Sequence, residues 1–227
     1  MKLSNVTLIA ISHEAKLQDT IKAAKYCMSQ IDFKSVKIIT DTKSKHEEID
    51  IIKDTDNIDE TKYAAMCINR LNHFVETDYA MVFQWDGFVI NKDLWKDKFL
   101  DYDYIGAPWF FPIENTVGNG GFSLRSKKFL EVSEKVEYTP KECTYYLDIQ
   151  REARPVAAPE DWFLCYHKYE QLKSEGIKFP DMQTAYEFSV EHPTPKKIYQ
   201  RNILLSYNSF GFHGDFNTAA MRCLENV

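Results

Sequence analysis

Glycine and proline are scarce, at 8 each in 227 residues, and neither gathers into a linker, repeat or low-complexity tract. A chain without such seams is expected to fold as one domain over residues 1–227, with a sizeable core. Cys27, Cys67, Cys143, Cys165 and Cys223 are dispersed, odd in number and without a C-x-x-C pair. That excludes a zinc knuckle and a disulfide scaffold, and makes reduced thiols and a cytoplasmic location the expectation. Basic runs are missing: 28 Lys and Arg face 34 Asp and Glu, a formal charge of −6. No nucleic-acid partner is expected of such a chain. Any phosphate it binds would need a metal, helix N-termini or a few placed cations. Long apolar runs are missing as well. The first, at residues 6–11, is about six residues long, too short for a leader's apolar core or a membrane span.

The common catalytic signatures are absent. There is no G-x-x-x-x-G-K-[ST], no H-E-x-x-H and no G-x-S-x-G, so P-loop NTPases, zincins and α/β-hydrolases lack their marks. Nor does a G-x-G-x-x-G follow the first apolar run; Ile11-Ser12-His13-Glu14 stands there.

What is present reads as α/β. Residues 6–11 form a continuous apolar run, as in a buried parallel strand. Leu17, Ile21, Ala24, Met28 and Ile31 then recur at helical spacing, and residues 36–40 give a second β-branched run. A third short strand is expected at 49–52. Asp59 is a candidate N-cap for a helix with Tyr63, Cys67, Leu71 and Phe74 inside. Residues 79–83 are apolar throughout and predict a central strand, and 94–100 a brief helical segment. Ser126 should cap a helix over 127–136, residues 137–157 a loop, and Pro159 should open a helix with Trp162, Phe163, Tyr166, Tyr169 and Leu172 inward. Residues 185–190 read as a strand. About residues 1–100 thus read as α/β, and about 101–227 as a less regular half.

Four features carry candidate chemistry. Asp86 lies just past the most buried strand, where α/β sheets bind ligands, and a carboxylate there suits a hard divalent cation; the alternative is an Asp shaping a bend. Glu160-Asp161 is an acidic pair at a helix start, either a general base or a complement to the helix dipole. His213 stands in Gly-Phe-His-Gly, as a ligand or as a hydrogen-bonded structural residue. Finally, Gly118, Gly120 and Gly121 place three of the eight glycines within four residues. Such a run is a turn, or a floor where a ligand meets main chain.

Together, Gln84-Trp85-Asp86-Gly87-Phe88, Tyr102–Trp109, Val117–Ser126, Glu160-Asp161, Phe188–Glu191 and Phe210–His213 resemble a family of unknown function regarded as glycosyltransferase-like. That family is similar to GT-A glycosyltransferases, and the resemblance implies a GT-A-like fold: a Rossmann-like nucleotide-binding half with a mixed central sheet over about residues 1–100, and a donor-sugar and acceptor half over about 101–227. It further implies a nucleotide-sugar donor, UDP-linked by analogy, and a glycan or other hydroxyl acceptor. It implies a divalent metal, Mn²⁺ or Mg²⁺, with Asp86 matching the last carboxylate of an Asp-x-Asp motif and His213 a C-terminal metal-binding His. Gln84 stands where the motif's first Asp would be. Gly120 and Gly121 match the donor-sugar wall, and Glu160-Asp161 the pair that supplies the base in inverting members. Trp85 and Trp109 would offer aromatic faces to a sugar, and Asp41 a contact to the nucleoside. A non-catalytic sugar- or nucleotide-binding assembly protein and a nucleotidyltransferase are the alternatives.

Overall fold

The computed structural model describes residues 1–109, 117–139, 159–191, 208–214 and 221–226. Strands β1 (Lys2–Ser12) and β2 (Asp32–Thr40) pair in parallel and are joined by helix α1 (Leu17–Gln30). The helix buries Leu17, Ile21 and Ala24 of the expected stripe, with Ile31 just beyond its end; Cys27 is buried where Met28 is expected, and Met28 is half-buried. Strand β3 (Asp50–Lys53) adds beyond β2. Helix α2 (Glu60–Asn69) follows, capped by Asp59, which accepts the Lys62 N–H at 2.8 Å. Strand β4 (Tyr79–Val82) then pairs with the other side of β1, and all four strands are parallel.

Beyond β4 the direction changes. Strand β5 (Gly87–Val89) leaves the sheet, while β6 (Tyr104–Gly106) and β7 (Ser123–Ser126) return to it. β7 is antiparallel to both β4 and β6. The main sheet is therefore mixed, with order β3-β2-β1-β4-β7-β6. Strands β8 (Ser189–Val190) and β9 (Gly211–His213) join β5 in a small second sheet of order β5-β9-β8.

Alternate residues of a strand point to opposite faces, and the two faces build separate cores. Leu8, Ala10, Met81, Phe83 and Leu124 pack with α1 and with Phe88 and Phe212 of the small sheet. Ile9, Ile11, Ala80, Val82 and Tyr104 pack with α2 and with α3 (Lys127–Ser133), whose N-cap Ser126 accepts the Phe129 N–H at 3.0 Å. Trp162 to Cys165 and Leu172 complete that second core. Burying each large apolar side chain contributes about 1.5–3 kcal/mol, so the sheet is fixed from both faces.

Two expectations are corrected. Residues 185–190 are mostly helical: Asp181 caps helix α6 (Met182–Phe188) by accepting the Thr184 N–H at 2.7 Å, and only Ser189–Val190 is extended. The helix expected after Pro159 is broken into α4 (Glu160–Trp162), a π-helical stretch Phe163–His167, and α5 (Tyr169–Ser174). The wider π turn changes the helical phase, so Leu164 and Cys165 go inward while Tyr166, expected inside, is 42% exposed. Of the expected loop at 137–157, residues 140–157 lie outside the described residues.

Candidate functional site

The site begins where β4 ends. The Phe83 N–H still donates to Ile9 O, at 3.0 Å; Gln84 and Gly87 then exchange two backbone hydrogen bonds, at 2.9 and 3.1 Å. This tight turn holds Trp85 and Asp86 at the carboxyl end of a central strand. The small sheet then brings in His213, paired with Gly87 in the β5–β9 register, and the Gly214 N–H donates to Asp86 O at 2.8 Å. His213 Nε2 lies 3.0 Å from Gln84 Oε1 and 3.9 Å from Asp86 Oδ1. The Gln84 amide is itself oriented, donating to the Tyr63 hydroxyl at 2.6 Å.

On its other edge, His213 Nδ1 is 3.2 Å from Asn119 Nδ2 and 3.1 Å from Glu191 Oε1. Asn119 can only donate to an unprotonated Nδ1, whereas Glu191 can only accept from a protonated one. Burial disfavours the charged ring, but Glu191, Asp86 and Asp161 outweigh it and raise the His213 pKa. Glu191 is thus the partner that fits a protonated Nδ1, and Asn119 the one that fits an unprotonated one.

Gln84 Oε1, Asp86 Oδ1 and His213 Nε2 form a sparse donor set of one carboxylate, one imidazole and one neutral amide. Adjacent ligand atoms around a small octahedral cation lie about 3 Å apart; His213 Nε2 stands 3.0 Å from Gln84 Oε1 but 3.9 Å from Asp86 Oδ1, so Asp86 would have to close in on a bound ion. Among the described residues, no three His, Cys, Asp or Glu side chains gather at metal-binding spacing. Gln84 is thus part of any set this turn offers.

The glycine run lies between β6 and β7, held by the Tyr104 hydroxyl, which donates to Gly118 O at 2.6 Å and lies 3.1 Å from Asn119 O. Close approach explains its glycines, and the groups that approach are the protein's own. A Cβ on Gly121 would stand 2.1 Å from His213 Nε2; one on Gly120 would stand 2.3 Å from Glu160 Oε1.

The two acids have separated roles. Glu160 is 4% exposed and accepts from Arg125 Nη2 at 3.0 Å. Asp161 is half-buried; its Oδ2 accepts the Gly120 N–H at 2.8 Å and its Oδ1 the Trp162 N–H at 2.7 Å. Burial and the Glu160 charge push its pKa up to about 7 despite those two donors.

The other candidates are spread wider. Trp109 is only 7% exposed, with its ring against Gly118 and 5.2 Å from Trp162. Trp85 carries Lys16 Nζ 3.5 Å above its ring. Asp41 accepts the Glu14 N–H at 2.8 Å and the Ile58 N–H at 2.9 Å, clipping together the loops after β1 and before α2. Tyr63, Asn119, Arg125, Glu191 and Lys16 were not among the expected site residues. Asn119, Arg125 and Glu191 sit inside the quoted motifs, but Lys16 carried no signal at all.

The architecture is similar to that of several solved glycosyltransferases. One, described as involved in glycosylation of the major capsid of PBCV-1, matches with a TM-score of 0.55 and 12% identity, covering 98% of this chain and 99% of that one. The galactosyltransferase LgtC, solved with donor and acceptor sugar analogues, matches at TM-score 0.58 and 11% identity over 96% of this chain and 94% of that one. GlyE of Streptococcus pneumoniae TIGR4 matches at 0.52 and 12%, over 92% of this chain and 54% of that one. The fold is GT-A-like. No curated protein matches in sequence. Residues 48–213 match the family described as "Protein of unknown function (DUF5672)", and the chain belongs to that family.

Proposed function

We propose that the protein is an inverting glycosyltransferase that moves a sugar from a nucleotide-sugar, UDP-linked in the simplest case, to a hydroxyl of a glycan or other acceptor. One observation carries this reading. His213 lies against Asn119 and Gly121, and Asp161 accepts the N–H of Gly120 between them, so donor-side and acceptor-side groups meet on one short stretch of main chain. Asp161 then serves as general base: it takes the acceptor hydroxyl's proton as the oxygen bonds to the sugar carbon and the carbon–phosphate oxygen bond breaks. Such proton transfer is typically worth 10²–10⁴-fold. Asp86, His213 and the Gln84 carbonyl would hold Mn²⁺ or Mg²⁺. That ion would supply Lewis-acid stabilisation of the departing diphosphate. Binding it requires an unprotonated His213 nitrogen, so donor binding should strengthen as pH rises.

Lys16, beside the turn, provides a cation in a chain without a basic loop. Trp85 is the better-exposed aromatic for a sugar or base, since Trp109 is committed to packing on Trp162. Gln84 in place of a carboxylate favours one competing reading, a binding protein without catalysis. Release of UDP from a panel of UDP-sugars, with and without Mn²⁺ or Mg²⁺, separates the two. If some donors bind and none turns over, the binding reading holds; if none binds, both fail.

A further inference from the structure

Arg125 is the largest fully buried side chain among the described residues, at 0% exposure. It lies opposite Ala80 on β4 and Tyr104 on β6, so all three share one face of the sheet and the small Ala80 leaves room for it. Its Nε donates to Ser123 Oγ at 3.1 Å, and its Nη2 reaches Glu160 Oε1 at 3.0 Å and Gly120 O at 3.5 Å. A buried ion pair of this kind is often no more stabilising than apolar residues of the same volume. Stability alone therefore does not account for it. Its connections do: the carbonyl of Gly120 meets Arg125, while the N–H of the same residue donates to Asp161. With a Cβ there, the residue would collide with Glu160, Asp161 and Arg125 together.

We propose that Arg125 and Glu160 are a buried positioning pair for Asp161. They fix the peptide at Gly120 so that its N–H orients the Asp161 carboxylate, and Glu160 itself transfers no proton. This deepens the reading of Asp161 as the base and rests on it. Glu160 is enclosed and already bound to a guanidinium, whereas Asp161 is only half-buried and is held, among the described residues, by backbone N–H groups alone. The ionisable groups facing Asp161 are Glu160 beside it, Cys67 from α2, Tyr104 from β6, Cys165 from the π-helical stretch, and Glu191 and His213 from the small sheet, with Arg125 across Glu160.

The test combines transfer kinetics with the amide resonance of Gly120, which should titrate with Asp161 in the native protein. E160Q keeps the shape and an acceptor oxygen for Arg125 but removes the like charge; urea denaturation first confirms that it folds with the guanidinium uncompensated. Its rate maximum should fall less than about tenfold, and the rise of the pH–rate profile and the Gly120 midpoint should both move to lower pH. R125M leaves a buried carboxylate alone and is at risk of not folding, so the paired variant R125M/E160M fills the site without a stranded charge. It should fold and lose kcat by at least about tenfold, as expected for misplacing a catalytic group, with donor KM within threefold. Its Gly120 resonance should no longer titrate as in the native protein; R125K should recover part of the loss. The proposal is overturned if E160Q is as inactive as D161N, or if R125M/E160M keeps the native Gly120 titration and rate. Transfer by D161N at the native rate would instead remove the base reading, while the Gly120 resonance still decides the positioning claim.

Discussion

Replacing Asp161 by Asn gives the sharpest thermodynamic test of the site. In the folded chain the Asp161 carboxyl keeps its proton up to about pH 7, against an ordinary 3.8. Between those values the native state holds a proton that the unfolded state has lost, so stability falls as pH rises, by about 1.4 kcal/mol per pH unit. Below 3.8 both states are protonated and the group contributes no slope; above 7 the whole penalty, about 4 kcal/mol, is in place. Asn has no such slope. It has a fixed defect instead, because one amide oxygen cannot serve both the Gly120 and Trp162 N–H groups, and its NH₂ faces a donor. That costs about 1–3 kcal/mol at every pH. D161N should therefore be the less stable protein in acid, cross the native curve between about pH 4.5 and 6, and be the more stable one at pH 8. Urea denaturation of both proteins in steps from pH 4 to 8, at fixed salt, reads the difference directly. A difference that stays constant across the range would refute the raised proton affinity and, with it, the account of how Glu160 acts on its neighbour.

Three further outcomes follow from the same geometry. Asp86→Ala removes the one carboxylate of the donor set, and metal-dependent binding of a UDP-sugar should be lost; unchanged affinity by calorimetry would exclude Asp86 as a ligand. Gly121→Ala places a methyl 2.1 Å from His213 Nε2, so the ring must leave Gln84. Donor affinity in the presence of Mn²⁺ should fall at least about tenfold, roughly 1.4 kcal/mol, and native affinity would show that His213 is not needed there. Asp41→Ala strips the acceptor from two backbone N–H groups and should lower stability by about 1–2 kcal/mol, with faster amide exchange at Glu14 and Ile58. Loss of UDP affinity without that change in exchange would assign Asp41 to the nucleoside rather than to the loops.

The parallel half of the sheet was legible because β1, β4 and the end of β2 are buried on both faces, and such strands must be continuous apolar runs. The same logic misled at residues 185–190. There Ala185, Phe188 and Val190 look strand-like, but Asp181 caps a helix four residues upstream of the run and carries it to Phe188. Helical phase failed at Tyr166 for another reason. A π turn leaves no mark in apolar spacing, since it changes the period only once, and the expected phase places Tyr166 one position too far inward. Acid, His and Gly motifs were visible as candidates, yet their partners were not. Gln84 and His213 are 129 residues apart, and Arg125 and Glu160 are 35 apart; no periodicity links them. An arginine in a four-residue strand reads as a surface residue until the small Ala80 opposite is known.

The glycine run is where these partial readings meet. Taken as sequence, its lack of side chains suggests room for a ligand against the main chain. In the structure, the Cβ positions of Gly118, Gly120 and Gly121 are claimed by Trp109, Glu160 and His213. A residue larger than glycine at Gly120 or Gly121 would therefore act first on the protein's own groups, by displacing His213 from the turn or by prising Glu160 from Arg125. The segment's polar contacts divide in the same way. Asn119 addresses His213 through its side chain, and Gly120 addresses Asp161 through its N–H. Because Gly120 lies between the two residues that meet His213, a donor bound on the Asp86 side should be felt in the proton affinity of Asp161. If UDP and Mn²⁺ pull His213 toward the ion, the Gly120 N–H must move relative to Asp161, and the Asp161 titration midpoint should change on donor binding.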